Sequence, residues 1–237
     1  MLLWKNLCYP FSVAAAERRF DRSLGIDTAG DIQPGELGFG ADANGYHAMP
    51  PKIAAHMIGQ VAARATDFTF IDLGAGKGRV LLMAARHPFR RVIGVELYEP
   101  FCAIARRNLR NAASRCNLVA PVEIVHGDAR QFEIPAGPCV FFLYNPFFGA
   151  VADGVLANIL GSFAAAPRHI VILYYADRFP PRLSAPPFVA RALPAQPRDR
   201  LDRYAAFGLR AAMFELIPQP VDAGPAREAA QLERRNA

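Results

Sequence analysis

Phe68-Thr-Phe-Ile-Asp-Leu-Gly-Ala-Gly-Lys-Gly-Arg79 is the stretch from which the fold of the 237-residue chain is read. An apolar, β-prone run ends in an acid, passes through glycines at 74, 76 and 78, and enters a segment with helical periodicity. That order predicts a buried strand, a tight turn and a helix N-terminus. Glycine lets the backbone take positive φ and lets a ligand approach closely, and the first free N–H groups of a helix are donors to an anionic group. A small-ligand site is therefore expected at the turn.

Spacing narrows the ligand. A phosphate-binding loop needs a glycine five positions before its Gly-Lys pair and a Ser or Thr after it, and Ile71 and Gly78 stand there instead. A dinucleotide fingerprint would need its third glycine where Arg79 stands. The remaining pattern is an acid, Asp72, followed by Gly74, Gly76 and Gly78. It resembles motif I of the class I S-adenosylmethionine-dependent methyltransferases. The run Asp-x-Gly-x-Gly-Lys-Gly-Arg is similar to bacterial members of that family with unassigned substrate.

Further carboxylates follow at strand ends. Arg91 to Glu96 reads as a second buried strand, and Glu96 stands 20 residues beyond Gly76. A carboxylate at that place in a doubly wound fold accepts hydrogen bonds from both ribose hydroxyls of an adenosylmethionine or a dinucleotide. Val122 to Val125 reads as the third strand, leading into His126-Gly127-Asp128-Ala129. The methyltransferase resemblance implies that Asp128 takes the adenine exocyclic amine, with Ala129 beside it and Ala75 in the turn. His126 is read as a core or edge histidine.

The fourth strand, Cys139 to Tyr144, runs into Asn145-Pro146-Phe147-Phe148. An amide at this edge faces whatever reacts with the cofactor, and its oxygen accepts a hydrogen bond from an amine or amide nitrogen. The tetrapeptide resembles the Asn-Pro-Pro-Tyr motif of methyltransferases acting on amide or exocyclic nitrogens, with Phe147 in place of the second proline. It is also similar to the shorter Asn-containing, aromatic-rich motif of protein-lysine methyltransferases of this fold. Asn145, Phe147 and Phe148 are the residues expected to meet the acceptor.

Composition sets the frame. The chain is 52% hydrophobic and 20% charged, which suits one α/β domain with extensions. Its formal charge of +6 comes almost wholly from arginine, the lysines being Lys5, Lys52 and Lys77, and the arginines are spread along the sequence. Such a spread argues only weakly for a nucleic-acid footprint. Cys8, Cys102, Cys116 and Cys139 form no paired spacing, so neither a metal site nor a disulfide framework is expected. The longest apolar runs are strand-length, and the cytoplasm is the default compartment.

Residues 17 to 47, rich in Gly and Asp, read as irregular and lid-like, so the expected division is an irregular extension over 1–47, a methyltransferase domain over 48–220 and a flexible tail over 221–237. Pro50 and Pro51 suit the first turn of a helix, and Tyr46, just before it, either reaches the cofactor or packs on that helix. Arg106, Arg107 and Arg110 read as the solvated face of a later helix. The resemblance implies an α/β, Rossmann-like, doubly wound and mostly parallel seven-stranded sheet with an antiparallel C-terminal edge strand. It further implies S-adenosyl-L-methionine as cofactor, no metal, and a nitrogen acceptor. A protein lysine is favoured over nucleic acid or a small molecule, with no membrane partner. The rivals are a nicotinamide oxidoreductase and a non-catalytic Rossmann-like binding module.

Overall fold

Strands of a parallel sheet that is covered on both faces must be apolar on both faces, and the central strand runs of this chain are of that kind. The computed structural model of the protein describes residues 11–33, 35, 45–144, 147–194 and 209–218. Five α-helices appear in them: α1 Phe11–Leu24, α2 Pro51–Ala62, α3 Arg79–Ala84, α4 Glu99–Ala113 and α5 Gly149–Ala165. A two-stranded antiparallel ribbon joins β1 Asp31–Ile32 to β2 Tyr46–His47. The main sheet comprises β3 Thr69–Leu73, β4 Arg91–Glu96, β5 Val122–His126, β6 Cys139–Tyr144, β7 Ile170–Ala176, β8 Val189–Arg191 and β9 Arg210–Leu216.

The sheet order is β5-β4-β3-β6-β7-β9-β8. From β3 the chain winds outward through β4 and β5, then returns to the other side of β3 as β6. The direction of winding thus reverses between β3 and β6, and open α/β sheets bind ligands at the carboxyl ends of such strands. β3, β4, β5, β6 and β7 are parallel. β9 runs antiparallel to both neighbours and is inserted between β7 and β8, so the outermost strand on that side is β8. Every residue of β3 and of β7 is buried, whereas those of β5, at the edge of the sheet, are half-buried or exposed.

Side chains alternate between two apolar layers. Phe70, Val92, Val140, Phe142 and Leu173 pack with α2 and α3, while Ile71, Ile93, Phe141, Leu143 and Ile172 pack with α5. Residues 11–24 correct the expectation of an irregular extension over 17–47. They form α1, because the glycines begin only at Gly25, where φ of +65° ends the helix. The 221–237 tail, and residues 1–10 and 36–44 of the extension, lie outside the described residues.

A buried ion cluster fastens α1 to the glycine turn. Arg79, the first residue of α3 and 3% exposed, approaches Glu17 at 3.5 Å and Asp21 at 3.2 Å. Its guanidinium also donates to Thr28 Oγ1 at 2.7 Å and to the Met49 carbonyl at 2.9 Å, and Asp21 accepts from the N–H groups of Thr28 and Ala29. Removing one partner of such a cluster leaves buried charge uncompensated. Arg79→Ala should therefore lower unfolding free energy by about 3–5 kcal/mol, measured by urea denaturation, while a value near zero would show that α1 is held by other contacts.

Candidate functional site

The glycine turn leaves β3 at Leu73 and is pinned to the end of β4. The N–H groups of Gly74 and Ala75 both donate to the Val95 carbonyl, at 2.9 and 3.1 Å, and the Gly76 N–H donates to Glu96 Oε2 at 2.7 Å. Gly74, Gly76 and Gly78 all have positive φ, of 83°, 53° and 85°. At Gly76 the absent side chain has a second consequence: a Cβ would stand 2.5 Å from the Tyr46 ring, so only glycine lets Tyr46 lie against the turn.

Asp72 and Glu96 come together at the ends of these neighbouring strands. Asp72 is 4% exposed and Glu96 6% exposed. Burial, reinforced by the charge of Glu96, pushes Asp72 up to about 8. Burial also raises Glu96, against the lowering effect of the backbone N–H groups that bind it, including Tyr98 N–H on Oε1 at 2.8 Å. The Glu96 carboxylate is thus held by backbone N–H groups of Gly76 and Tyr98, one on each oxygen, with the Leu97 N–H also bonded to it. Two buried carboxyl groups at neighbouring strand ends thus share too little solvation for both to ionise freely.

Tyr46 reaches the turn and packs on the chain beyond β4 as well. Its hydroxyl donates to the Thr28 carbonyl at 2.5 Å, its ring lies 4.9 Å from that of Phe101, and Lys77 Nζ sits 5.3 Å from its centroid. Asp128 follows β5, next to Gly127, whose N–H donates to the Glu96 carbonyl at 2.9 Å. Its two oxygens accept from Arg130, and that bonding holds its carboxyl below the usual range. Ala129 beside it is buried under α5. A cavity of about 680 Å³ runs along β4 and β5 from Arg91 and Glu123 to His126 and Asp128. Only its upper end meets the candidate site, since Asp72, Glu96 and the glycine turn do not line it.

At the end of β6, Asn145 and Pro146 lie outside the described residues. Phe147 packs against the α5 layer and Phe148, just before α5, is 41% exposed. His126 is exposed at the sheet edge, 3.4 Å from Glu99 and 3.0 Å from the Leu97 carbonyl. Sequence reasoning missed Asn108, which is 1% exposed and bridges the turn to the N-terminal segment. Its amide donates to the carbonyls of Lys77 and Asp27, and its oxygen accepts the Asp27 N–H. An amide on the apolar face of α4 was the available signal, because a buried polar group needs partners.

The Asp72 shift fixes a pH dependence. The folded state keeps the Asp72 proton up to about pH 8, whereas the unfolded chain releases it near 4, so the folded state binds more protons between these values and stability falls as pH rises. Urea unfolding at pH 5 and pH 8.5 should show wild type losing more stability across the interval than Asp72→Asn; equal losses would place Asp72 in a better solvated setting.

A family model described as "Methyltransferase domain" matches residues 70–166, from β3 through α5. The tRNA1(Val) (adenine(37)-N6)-methyltransferases of Shewanella sp. strains MR-4 and MR-7 are each 30% identical over 112 residues, which is 46% of this chain and 41% of theirs. The chain thus matches less than half the length of these relatives. Among solved structures, an RNA methyltransferase from Salinibacter ruber in complex with S-adenosyl-L-homocysteine superposes with a TM-score of 0.50 at 17% identity, over 73% of this chain and 96% of that one. The Escherichia coli protein yhhF does so with a TM-score of 0.50 at 13% identity, over 80% and 100%. Residues 70–166 thus match a methyltransferase domain, and the glycine turn and strand order give the chain the Rossmann-like fold of these solved methyltransferase structures.

Proposed function

We propose that the chain transfers a methyl group from S-adenosylmethionine to a nitrogen of a nucleic-acid acceptor, an exocyclic base amine of RNA. The observation that carries the reading is the convergence of Asp72, the Gly74–Gly78 turn and Glu96 at the carboxyl ends of β3 and β4. The pocket fits the cofactor's charge, because two crowded carboxylates welcome a ligand bearing a sulfonium and an ammonium. In this reading the Glu96 carboxylate takes the ribose hydroxyls, Asp128 takes the adenine amine, and Gly74, Ala75, Gly76, Gly78, Tyr46 and Ala129 wall the site. When bound, S-adenosylmethionine supplies an electrophilic methyl group on sulfur.

The protein's contribution is alignment and exclusion of water. Asn145, directly after β6, accepts a hydrogen bond from the acceptor amine and aims its lone pair. Phe147 and Phe148 flank the acceptor, and the exposed ring of Phe148 suits stacking on a base. The sequence favoured a protein lysine as acceptor. The adenine-N6 activity of the Shewanella relatives and the exposed aromatic support a base amine instead.

Incubation with methyl-labelled cofactor and extract of the source organism tests the acceptor. Label released by nuclease is expected; label that survives nuclease and is solubilised by protease returns the acceptor to protein. Asn145→Ala should lower kcat by about 10²-fold or more with cofactor affinity retained, and a matching loss of S-adenosylhomocysteine binding in calorimetry would move Asn145 into the cofactor shell.

A further inference from the structure

The arginines that look dispersed along the sequence are gathered by the fold. α1 turns Glu17, Asp21 and Leu24 inward, where the acids meet Arg79 and Leu24 packs with Leu82 and Ala112. With 3.6 residues per turn, Arg18, Arg22 and Arg19 then share the opposite arc, and all three are exposed. α4 repeats the arrangement. It buries Phe101, Cys102, Ala105, Asn108 and Ala112, which leaves Arg106, Arg107 and Arg110 on its outer arc.

The two helices are joined in this arrangement. Asn111 Nδ2 donates to the Gly25 carbonyl at 3.1 Å, and the Arg115 guanidinium lies against Gly25, where a Cβ would stand 2.4 Å from Nη1. The acids of this region are already engaged: Glu17 and Asp21 with Arg79, Asp27 with Lys77 and Arg107, Asp31 with His47, and Glu99 with Arg106. Among the described residues, Arg18, Arg19, Arg22, Arg110 and Arg115 therefore keep charges that no carboxylate at ion-pair distance neutralises.

We infer that this α1–α4 face is a docking surface for the sugar–phosphate backbone of the RNA acceptor, an inference that rests on the nucleic-acid reading of the acceptor. Uncompensated guanidinium groups on a solvent face are matched by phosphates, which they bind bidentately while releasing condensed counterions. The face also has the right origin. Glu17 and Asp21 of α1 sit on Arg79, the residue that follows the glycine turn, and α4 starts three residues after Glu96. The surface thus begins beside the candidate site and extends away from it, so a strand held there presents one base to the carboxyl edge.

Fluorescence anisotropy with a labelled stem-loop RNA tests this on the full chain, titrating salt. The triple variant Arg18→Glu/Arg22→Glu/Arg110→Glu is compared with Arg64→Glu/Arg86→Glu/Arg90→Glu, which makes the same charge change at the amino ends of β3 and β4. At about 100 mM salt the first should bind RNA about tenfold or more weakly than wild type, with the slope of log K against log salt reduced by about 2–3, and the second should change far less. Unchanged S-adenosylhomocysteine affinity in both shows that the fold survives. Equal losses in the two variants, or no loss in the first, overturn the docking surface and leave the acceptor reading standing. A wild-type chain with no salt-dependent RNA binding overturns both.

Discussion

Two carboxylates that dislike each other's company hold the centre of this molecule. Asp72 and Glu96 end adjacent parallel strands, nearly sealed from water, and Glu96 is tolerated there because backbone N–H groups of Gly76 and Tyr98 bind its two oxygens. Those same bonds set the path of the glycine turn and the start of α4. The charge arrangement is thus also the scaffold: without Glu96 the turn would lose one of its three ties to β4.

Much of the sheet was legible because parallel strands are written as continuous apolar runs. Cys139-Val-Phe-Phe-Leu-Tyr144 and Arg91-Val-Ile-Gly-Val-Glu96 appear as strands with the bounds read from the sequence. The turn was legible because positive φ at three alternate positions demands glycine. α1 was not, since its inward face mixes Phe20 and Leu24 with Glu17 and Asp21, and the acids interrupt the apolar stripe that announces a helix. Its partner, Arg79, lies 58 residues from Asp21, beyond the reach of any local pattern.

The site was legible in part for the same reason. Asp72, Glu96 and the glycines answer to a local rule, strand then turn then helix, and they meet in space. Asp128 was placed by resemblance, and what the sequence did not show is that Arg130, two residues on, engages both its oxygens. Asn108 and Tyr46 owe their positions to the N-terminal segment, and their contacts with Asp27 and Thr28 emerge only once the chain folds back on itself.

The Arg79 cluster changes what counts as the domain. The domain match begins at residue 70, yet the residue that opens the first helix of that region is satisfied by Glu17, Asp21, Thr28 and Met49. In the language of hydrogen exchange, α1 belongs to the same foldon as the glycine turn, and amides of the two should open together. The two inward acids of α1 thus answer to an arginine inside the matched region, while its outer arc carries Arg18, Arg19 and Arg22.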